Sequence, residues 1–323
     1  MLNLTGGGLS GGYRKYLQHV VPRLQNHRAV SELLVVVPPG QQSHAGTDGS
    51  VWSWAKNEHW RGYPALADRV RTWKPDVVLI PTARYINCGA PVVSMVRNME
   101  PMLPRTLRDG FAPSLKNIVG AHLARDSVKQ SQRVIAVSQF VRDFLLSAWT
   151  VDEERVGVVY HGVDPATAAS EVTTALQPLS TRPFLFVAGS LLPYRGIEDA
   201  LRALSLLSKA QPALLLAIAG SGSAGYAARL RKLAEELKVT SQVIWLGQLT
   251  TSEMAWAYQS CVAFLMTSRV EACPNTALEA MQTVRCASVL TYHQCLNFLA
   301  IRRATSPRTI RHSSRGTLPK PCA

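Results

Sequence analysis

Two glutamates, Glu271 and Glu279, are the residues of this 323-residue chain whose setting best suits chemistry. An apolar run at residues 262–267 precedes them and predicts a buried strand, while the helix-forming run at residues 277–281 contains the second glutamate. The first carboxylate is therefore predicted in a loop after the strand, and the second about one turn inside the helix. Both can accept hydrogen bonds from the hydroxyls of a ligand.

The predicted start of that helix adds a second kind of binding group. Asn275 or Thr276 can act as the helix N-cap. In a parallel α/β sheet, the loop between a strand and the next helix binds anions through free backbone N–H groups and the positive end of the helix dipole. Phosphate suits the amides and hydroxyls suit the carboxylates, and a sugar nucleotide offers both groups.

The rest of the chain predicts a repeated alternation of strands and helices. Strands are predicted at residues 33–37, 77–80, 91–96, 133–137, 156–160, 184–188, 213–219 and 243–246. Helices are predicted at residues 12–24, 138–146, 196–210, 224–237 and 252–259. Ser138 is a good N-cap for the second of these helices. The predicted fold class is therefore α/β, with parallel sheets in two doubly wound, Rossmann-like domains that face a cleft.

This pattern divides the chain into four segments. Residues 1–165 form the first domain, and residues 166–182, which are poor in large apolar side chains, form a linker. Residues 183–290 form the second domain, which holds both glutamates. Residues 291–323 form a basic tail without acidic residues, which we expect to be disordered because such a composition rarely makes a core.

Composition excludes several classes of protein. A hydrophobic share of 47% and a charged share of 17% indicate a folded chain with a core. No apolar run approaches the roughly 20 residues that span a bilayer, and residues 1–8 lack the features of a secretory signal. The six cysteines show no disulfide or metal-binding spacing, so free thiols in a cytoplasmic protein are expected.

The net charge of +14 does not by itself predict a nucleic-acid partner. Seven basic residues and no acidic residue lie in residues 280–323, so half of the excess belongs to that end of the chain. Aromatic and basic residues do not interleave as a platform for nucleic-acid bases requires. No nucleic-acid binding is therefore expected.

Two other glycine-containing segments could bind an anion. Arg195 lies in the turn at residues 189–196, between a strand and a helix, where its forked guanidinium is placed to pair with a phosphate. The glycines at residues 6–8, together with Gly11 and Gly12, precede the first helix. They form either a flexible N-terminus or a loop that closes over a diphosphate or a sugar, and the sequence leaves both interpretations open.

One glycine motif raises a different class of protein. Gly220, Gly222 and Gly225 match G-x-G-x-x-G between a strand and a helix, which is typical of dinucleotide-binding folds. Such folds also need an acidic residue at the end of the next strand, and the strand at residues 243–246 ends without one. We therefore interpret these glycines as a tight turn that lets helix and sheet pack closely.

His161 lies at a strand end. A structural role is favoured for it over the roles of proton donor and hinge contact.

Taken together, these features resemble the retaining glycosyltransferases of family 4, which have the GT-B fold. The resemblance rests on the two glutamates, the turn at residues 189–196, and the runs at 138–145 and 160–164, which occur in the family's order up to about residue 283. It implies a nucleotide-diphosphate-sugar donor bound mainly by the second domain. It also implies a saccharide or lipid-linked acceptor bound by the first domain, and transfer with retention of anomeric configuration.

The resemblance also assigns roles to the candidate residues. Glu271 matches the catalytic carboxylate that faces hydroxyls of the donor sugar, and Glu279 matches the residue that binds the nucleotide ribose. Arg195 falls where the family has a cation on the diphosphate. The other matched binding positions are Asn275, Thr276, Gly11, Gly12 and Ser190. A cation and helix-end amides can stabilise the leaving diphosphate, so neither a metal nor a cofactor is expected.

The chain departs from the family pattern at three points before residue 281. The usual first strand, ahead of the glycines, is nearly absent. Arg97 and Asn98 follow the strand at residues 91–96, where many relatives have a histidine, so no catalytic histidine is predicted. Ser190 stands where many members place a second phosphate-binding arginine.

The family pattern ends soon after Met281, and we hypothesise a frameshift between about residues 283 and 292, which the gene sequence would settle. The second domain is then incomplete and lacks its last strand and closing helices.

The leading interpretation is a cytoplasmic sugar transferase of polysaccharide biosynthesis, which visits the membrane surface if its acceptor is lipid-linked. The alternatives are a truncated relative that binds a nucleotide without turnover and an NAD-dependent oxidoreductase.

Overall fold

The computed structural model describes residues 1–5, 11–44, 51–55, 63–100, 102, 115–163, 172–283 and 287–289. The first half of the chain contains α1 Gly11–Gln25, β1 Val35–Val37, β2 Val51–Ser53, α2 Pro64–Trp73, β3 Val78–Ile80, β4 Val92–Val96, α3 Leu115–Gln130, β5 Arg133–Ala136, α4 Gln139–Ala148 and β6 Val156–Val158. The second half contains β7 Phe184–Ala188, α5 Ile197–Leu207, β8 Leu215–Ala219, α6 Ala224–Glu236, β9 Val243–Gly247, α7 Thr251–Ser260, β10 Ala263–Met266, α8 Asn275–Thr283 and β11 Ala287–Val289.

Parallel strands form the sheet of the first half, in the order β3, β4, β5, β6, and β1 pairs separately with β2. The first residues of the chain join these two groups. The Leu2 amide donates to Leu79 O of β3 (2.8 Å), and the Asn3 amide donates to Val36 O of β1 (2.8 Å). The start of the chain therefore fills the place of the first strand, which the sequence pattern suggested was nearly absent.

The sheet of the second half is also parallel, in the order β11, β10, β7, β8, β9. Every residue of β8 is buried, as expected for a central strand covered on both faces. Val289 of β11 lies opposite Met266 of β10. A short strand therefore follows α8, where we expected none, while the predicted tail at residues 291–323 lies outside the described residues.

Strands and helices occur where the apolar patterns predict them in both halves. Ser138 caps α4 as predicted, because its Oγ accepts a hydrogen bond from the Val141 amide (3.3 Å). No pattern used above predicts β2, α2 or α3. Ile118, Val119 and Leu123 of α3 are exposed, so the apolar spacing that usually marks a helix is weak there.

The predicted linker is only partly described, since residues 164–171 lie outside the described part of the chain. Its later part forms a short 3-10 turn, Gln177–Leu179. Leu176 and Leu179 are buried in the same apolar cluster as Phe184 and Phe186 of β7. This part of the predicted linker therefore packs onto the second sheet.

The loop after β10 is in contact with both halves of the molecule. Val270, Ala272 and Cys273 of this loop belong to the same buried cluster as Val141 of α4. Ser138 Oγ donates a hydrogen bond to Ala272 O (2.7 Å). The loop that carries the first glutamate is thus fixed by packing from the first half.

Within the described residues, no helix combines the length and apolar character needed to cross a bilayer.

Candidate functional site

The turn after β7 brings Arg195 to the carboxyl end of the second sheet. It contains a 3-10 turn, Pro193–Arg195, and ends at Gly196, whose φ of 62° lies in the left-handed region. A Cβ on Gly196 would lie 2.4 Å from Thr267 O, just after β10. Thr267 Oγ1 also donates to Arg195 O (2.8 Å). Glycine permits this close packing, which fixes the backbone that carries the arginine side chain.

Two of the three glycines in the G-x-G-x-x-G motif contact the same turn. A Cβ on Gly220 would lie 1.8 Å from Gly189 O, and a Cβ on Gly222 would lie 2.1 Å from Leu191 O. Within the described part of the chain, no atom outside the neighbouring backbone of α6 lies within 4 Å of a Cβ built on Gly225. The first two glycines let the loops after β7 and β8 pack backbone against backbone, which supports the structural interpretation of the motif.

Arg195 and Glu271 form an ion pair in which Nη1 donates to Oε1. Nη1 also donates to Ser268 Oγ at 3.4 Å. The Glu271 side chain is 9% exposed and the Arg195 side chain is 24% exposed, so bulk water screens this pair only weakly. The structure brings together the predicted phosphate-binding cation and the predicted hydroxyl-binding carboxylate, and each satisfies the charge of the other.

The helix α8 begins at Asn275, so the residue that precedes its first turn is Pro274. Pro274 O accepts hydrogen bonds from the amides of Ala277 (3.1 Å) and Leu278 (3.2 Å). The prediction of Asn275 or Thr276 as N-cap is therefore wrong, by one residue for Asn275 and by two for Thr276. The Asn275 side chain is instead available for a contact with the first half, and its backbone amide belongs to the first turn of the helix, which lacks intrahelical partners.

A depression lies where the turn after β7, the end of β10 and the start of α8 meet. It is shallow and partly open to solvent, and about 280 Å³ of space lies between its atoms when the open solvent is included. Three predicted site residues line it, namely Ser190, Arg195 and Thr276. Ser268 lines it as well, and Glu271 adjoins it through the bond to Arg195. A cation, a hydroxyl side chain and a helix N-terminus thus face the same space.

Glu279 lies on α8 and contacts a cation of the first half. Its Oε1 is 2.9 Å from Lys15 Nζ on α1. The Tyr258 hydroxyl donates to its Oε2 at 3.3 Å. Burial, and then the neighbouring carboxylate, raise the pKa of Tyr258 well above its usual value. The phenol therefore remains a hydrogen-bond donor to Glu279 throughout the physiological pH range.

Gly11 and Gly12 form the first turn of α1 rather than a loop, and residues 6–10 lie outside the described part of the chain. A Cβ on Gly12 would lie 3.5 Å from Asn275 Nδ2. Gly12 O accepts a hydrogen bond from Arg97 Nη2 (3.3 Å). Gly12 therefore lies next to the start of α8, as part of a helix.

His161 connects the first half to α8. Its Nδ1 lies 3.0 Å from Asn275 Oδ1. Burial lowers the pKa of His161 to about 4, and the positive charge of Arg97 acts in the same direction, while the Asn275 hydrogen bond opposes both. The imidazole is therefore neutral near pH 7. Its contact with Asn275 is consistent with the predicted structural role and with the hinge contact that the sequence also allowed.

Lys15 and Arg97 are members of the site that spacing in the sequence does not reveal. Their polar partners lie far away in the chain, 264 positions for Lys15 and Glu279, and 85 positions for Arg97 and Gly12. The only sequence signal for either residue was the position of Arg97, where relatives place a histidine.

Within the described residues, no group of three or more His, Cys, Asp or Glu side chains could hold a metal ion.

Comparisons with known families match both halves of the chain. The sequence pattern of the family described as Glycosyltransferase Family 4 matches residues 11–167. The pattern described as Glycosyl transferases group 1 matches residues 173–289. The two matches meet at the predicted linker, and the second covers the glutamates and Arg195.

Individual curated relatives have low sequence identity to this chain. The O-antigen chain mannosyltransferase RfbU of Salmonella typhimurium is 22% identical over 209 residues, covering 63% of this chain and 56% of that protein. A D-inositol 3-phosphate glycosyltransferase of Segniliparus rotundus is 26% identical over 201 residues, covering 59% of this chain and 44% of that protein. The chain thus spans about half the length of the curated relatives that it matches.

A similar solved structure is that of Anabaena HepE in complex with UDP-glucose. It superimposes with a TM-score of 0.66 at 20% sequence identity, and the match covers 87% of this chain and 77% of that one. Likeness at this level of identity concerns the fold. It confirms the predicted α/β architecture of GT-B type.

Proposed function

Because the chain belongs to glycosyltransferase family 4, we propose that it transfers a sugar from a nucleotide-diphosphate-sugar donor to a saccharide or a lipid-linked acceptor. One observation carries the proposal: Arg195, Glu271 and the first turn of α8 meet at the carboxyl end of the second sheet. Parallel α/β folds bind phosphorylated ligands at such a position.

The diphosphate of the sugar donor is proposed to lie against Arg195 and the first amides of α8, at Asn275 and Thr276. The guanidinium provides two parallel N–H groups, and the helix end provides free N–H groups and a partial positive charge. Ser190 lines the same space and offers a hydroxyl. Negative charge grows on the diphosphate as the sugar leaves, so these groups stabilise the transition state more than the ground state. No metal enters this scheme.

Glu271 is proposed to face hydroxyls of the donor sugar. Its carboxylate lies beside the proposed diphosphate position, because it contacts the same guanidinium. When a diphosphate takes N–H groups of Arg195, the Glu271 oxygens become available to accept hydrogen bonds from sugar hydroxyls. Donor binding thus replaces the ion pair between Arg195 and Glu271 by contacts of Arg195 with the diphosphate and of Glu271 with the sugar hydroxyls. We propose that transfer then proceeds with retention of anomeric configuration.

Glu279 is proposed to bind the ribose of the nucleotide. It lies eight residues beyond Glu271, on the face of α8 that contacts Tyr258. A carboxylate accepts hydrogen bonds from two vicinal hydroxyls, which suits a ribose. Lys15 occupies one of its oxygens in this structure. The ribose must therefore share Glu279 with this cation or displace it.

The acceptor is proposed to bind on the first half, near Gly12 and Arg97. RfbU acts, by its name, on O-antigen chains. We propose that a saccharide acceptor occupies this position. We also propose that the protein acts in polysaccharide biosynthesis in the cytoplasm. If the acceptor is lipid-linked, we expect the protein to sediment with vesicles that contain it, and not with vesicles that lack it.

Thermal-shift titration with UDP, GDP, ADP and NAD tests the proposal, because a ligand that binds the folded state raises its melting temperature. A nucleoside diphosphate should raise it, and the corresponding nucleotide sugar should then be hydrolysed or transferred. A shift with NAD alone would contradict a sugar transferase. Binding of a nucleoside diphosphate with no turnover of UDP-glucose, GDP-mannose or ADP-glucose would favour a relative without activity.

A further inference from the structure

Two side chains with buried, unpaired polar atoms, Arg97 and His161, both lie near the ring of Tyr16. Arg97 directly follows β4, and His161 lies three residues after β6. Arg97 Nη1 and His161 Nε2 are both buried, and neither has a hydrogen-bond partner among the residues that the structure describes. Buried polar atoms are normally paired, since leaving one unpaired is destabilising. Such a pair marks a place where a ligand can supply the missing bonds.

The orientation of the arginine is fixed by its neighbours. The guanidinium lies over the rings of Tyr13 and Tyr16, at 4.6 and 4.7 Å from their centroids. Nη2 donates to Gly12 O (3.3 Å). These contacts hold the guanidinium plane in place and leave Nη1 with N–H groups to donate.

The tautomer of the histidine follows from its partner. Nδ1 donates to Asn275 Oδ1 (3.0 Å), so in the neutral ring Nε2 carries a lone pair and no proton. The Tyr16 ring lies 6.4 Å from the imidazole, and the Arg97 charge acts on it. The site therefore combines one free hydrogen-bond donor with one free acceptor.

We propose that Arg97 Nη1 and His161 Nε2 together bind one hydroxyl of a sugar in the cleft. The hydroxyl oxygen accepts from Nη1 while its O–H group donates to Nε2, so both buried atoms gain a partner. This inference rests on the proposed function, which places a sugar between the two halves. Because both atoms are buried, the side chains around them must move to admit the sugar, while the His161–Asn275 contact that fixes the tautomer stays in place.

A hydroxyl fits this pair better than an anion. A fully ionised phosphate or carboxylate would satisfy Arg97, but it would set an oxygen lone pair against the lone pair of Nε2. It would bind well only if the imidazole first gained a proton, which burial and the charge of Arg97 oppose. A sugar hydroxyl needs no such change.

The hydroxyl has two possible sources, which an experiment can separate. Asn275 belongs to the helix proposed to bind the sugar donor, whereas Arg97 belongs to the half proposed to bind the acceptor. Long-range proton–nitrogen NMR of the histidine rings reports directly on Nε2, because its resonance moves when the lone pair accepts a hydrogen bond. The His161 signals are assigned by their loss in His161→Gln.

The titration uses whichever of UDP, GDP or ADP raises the melting temperature, then its nucleotide sugar (UDP-glucose, GDP-mannose or ADP-glucose), then free glucose, mannose or galactose. A shift of Nε2 with the nucleotide sugar but not with the nucleoside diphosphate assigns the hydroxyl to the sugar donor. A shift that appears only when a free monosaccharide is added assigns it to the acceptor. Either result supports the proposal.

Two results overturn it. The first is a His161 spectrum that stays unchanged while the nucleotide sugar and the monosaccharides are added and nucleotide binding is intact. The second is protonation of both ring nitrogens on addition of the nucleoside diphosphate or inorganic phosphate, which would make the site an anion site. If no nucleoside diphosphate raises the melting temperature at all, the proposed function fails as well, so the two failures are distinguishable.

Variants give an independent readout. His161→Gln and Arg97→Lys should raise the KM of one substrate, donor or acceptor, at least about tenfold, with the other KM unchanged. His122→Gln, at an exposed position of α3, is the matched control and should leave both KM values unchanged. Equal melting temperatures of variants and wild type exclude misfolding as the cause. Unchanged KM values in both variants would contradict the proposal.

Discussion

The Lys15 ammonium and the Glu279 carboxylate join the two halves of the molecule, with Nζ 2.9 Å from Oε1, although the residues are 264 positions apart. His161 and Asn275 form a second link of this kind, and Ser138 and Ala272 a third. Each of these links ends on α8 or on the loop before it, which carries the proposed donor site. Contacts between the halves and the proposed binding of the sugar donor therefore involve the same short segment.

Removing the ammonium should favour the nucleotide. Lys15 and Glu279 are 37% and 24% exposed, so their pair is worth at most about 1 kcal/mol, which corresponds to about fivefold in affinity. We expect Lys15→Met to tighten binding of the nucleoside diphosphate by up to that factor, measured by calorimetry, with little change in melting temperature. Lys232→Met, on the exposed side of α6, serves as control. Weaker binding in Lys15→Met would show that the ammonium contacts the ligand itself.

Glu271→Gln should separate binding from turnover. The amide keeps the shape and an oxygen that can accept from Arg195, so nucleotide binding should change little. The lost negative charge should lower kcat by about 100-fold or more. Donor hydrolysis or transfer measures kcat, and calorimetry measures binding. Glu235→Gln, on the exposed face of α6, should behave as wild type, and full activity of Glu271→Gln would remove the catalytic role.

The glycine motif offers a test within a single turn. Gly220→Ala places a methyl group against Gly189 O at a φ of 132°, so we expect a loss of about 3 kcal/mol in the free energy of unfolding. Gly225→Ala meets open space in α6 and should gain about 0.5 kcal/mol. Urea unfolding measures both. Equal effects of the two substitutions would contradict the packing role of the first glycine.

The buried histidine should make stability depend on pH. Burial lowers the pKa of His161 in the folded state to about 4, from 6.5 in the unfolded chain. Between these values the unfolded state binds more protons, so the free energy of unfolding should fall as the pH drops from about 6.5 towards 4. The positive charge of Arg97 also lowers the pKa of His161. The Cys273 thiol hydrogen-bonds with the His161 backbone, and burial raises the pKa of this thiol.

Urea unfolding at several pH values in this window measures the effect. His161→Gln has no titrating ring at this position and should flatten the pH dependence, while His122→Gln should retain it. The same slope in His161→Gln and wild type would assign the pH dependence to other groups.

Sugar transfer should also survive chelation. In the proposed scheme Arg195 and the first amides of α8 stabilise the leaving diphosphate. We therefore expect kcat to be the same before and after dialysis against EDTA. Loss of activity that Mg²⁺ or Mn²⁺ restores would show that a metal ion shares this role.

Short-range patterns predicted much of this molecule because its elements are local. Apolar runs of four to seven residues predict most strands of both sheets, since a strand covered on both faces must be apolar throughout. Ser138 predicts the start of α4, because an N-cap needs only a side-chain oxygen and the backbone three residues later. The order of Arg195, Glu271 and Glu279 along the chain was enough to predict a ligand site at one end of the second sheet.

Tertiary structure decided the contacts that these residues make. No spacing predicts that Arg195 pairs with Glu271, that Lys15 lies on Glu279, or that His161 lies on Asn275, because each pair is formed by elements that are distant in the chain. A packing role was predicted for Gly220, but only the structure showed that its partner is the loop after β7. Sequence determined the elements and the chemical groups at their ends, since these follow from local hydrogen bonding and burial. Only tertiary packing, both within the second half and between the halves, decided which of these groups face one another.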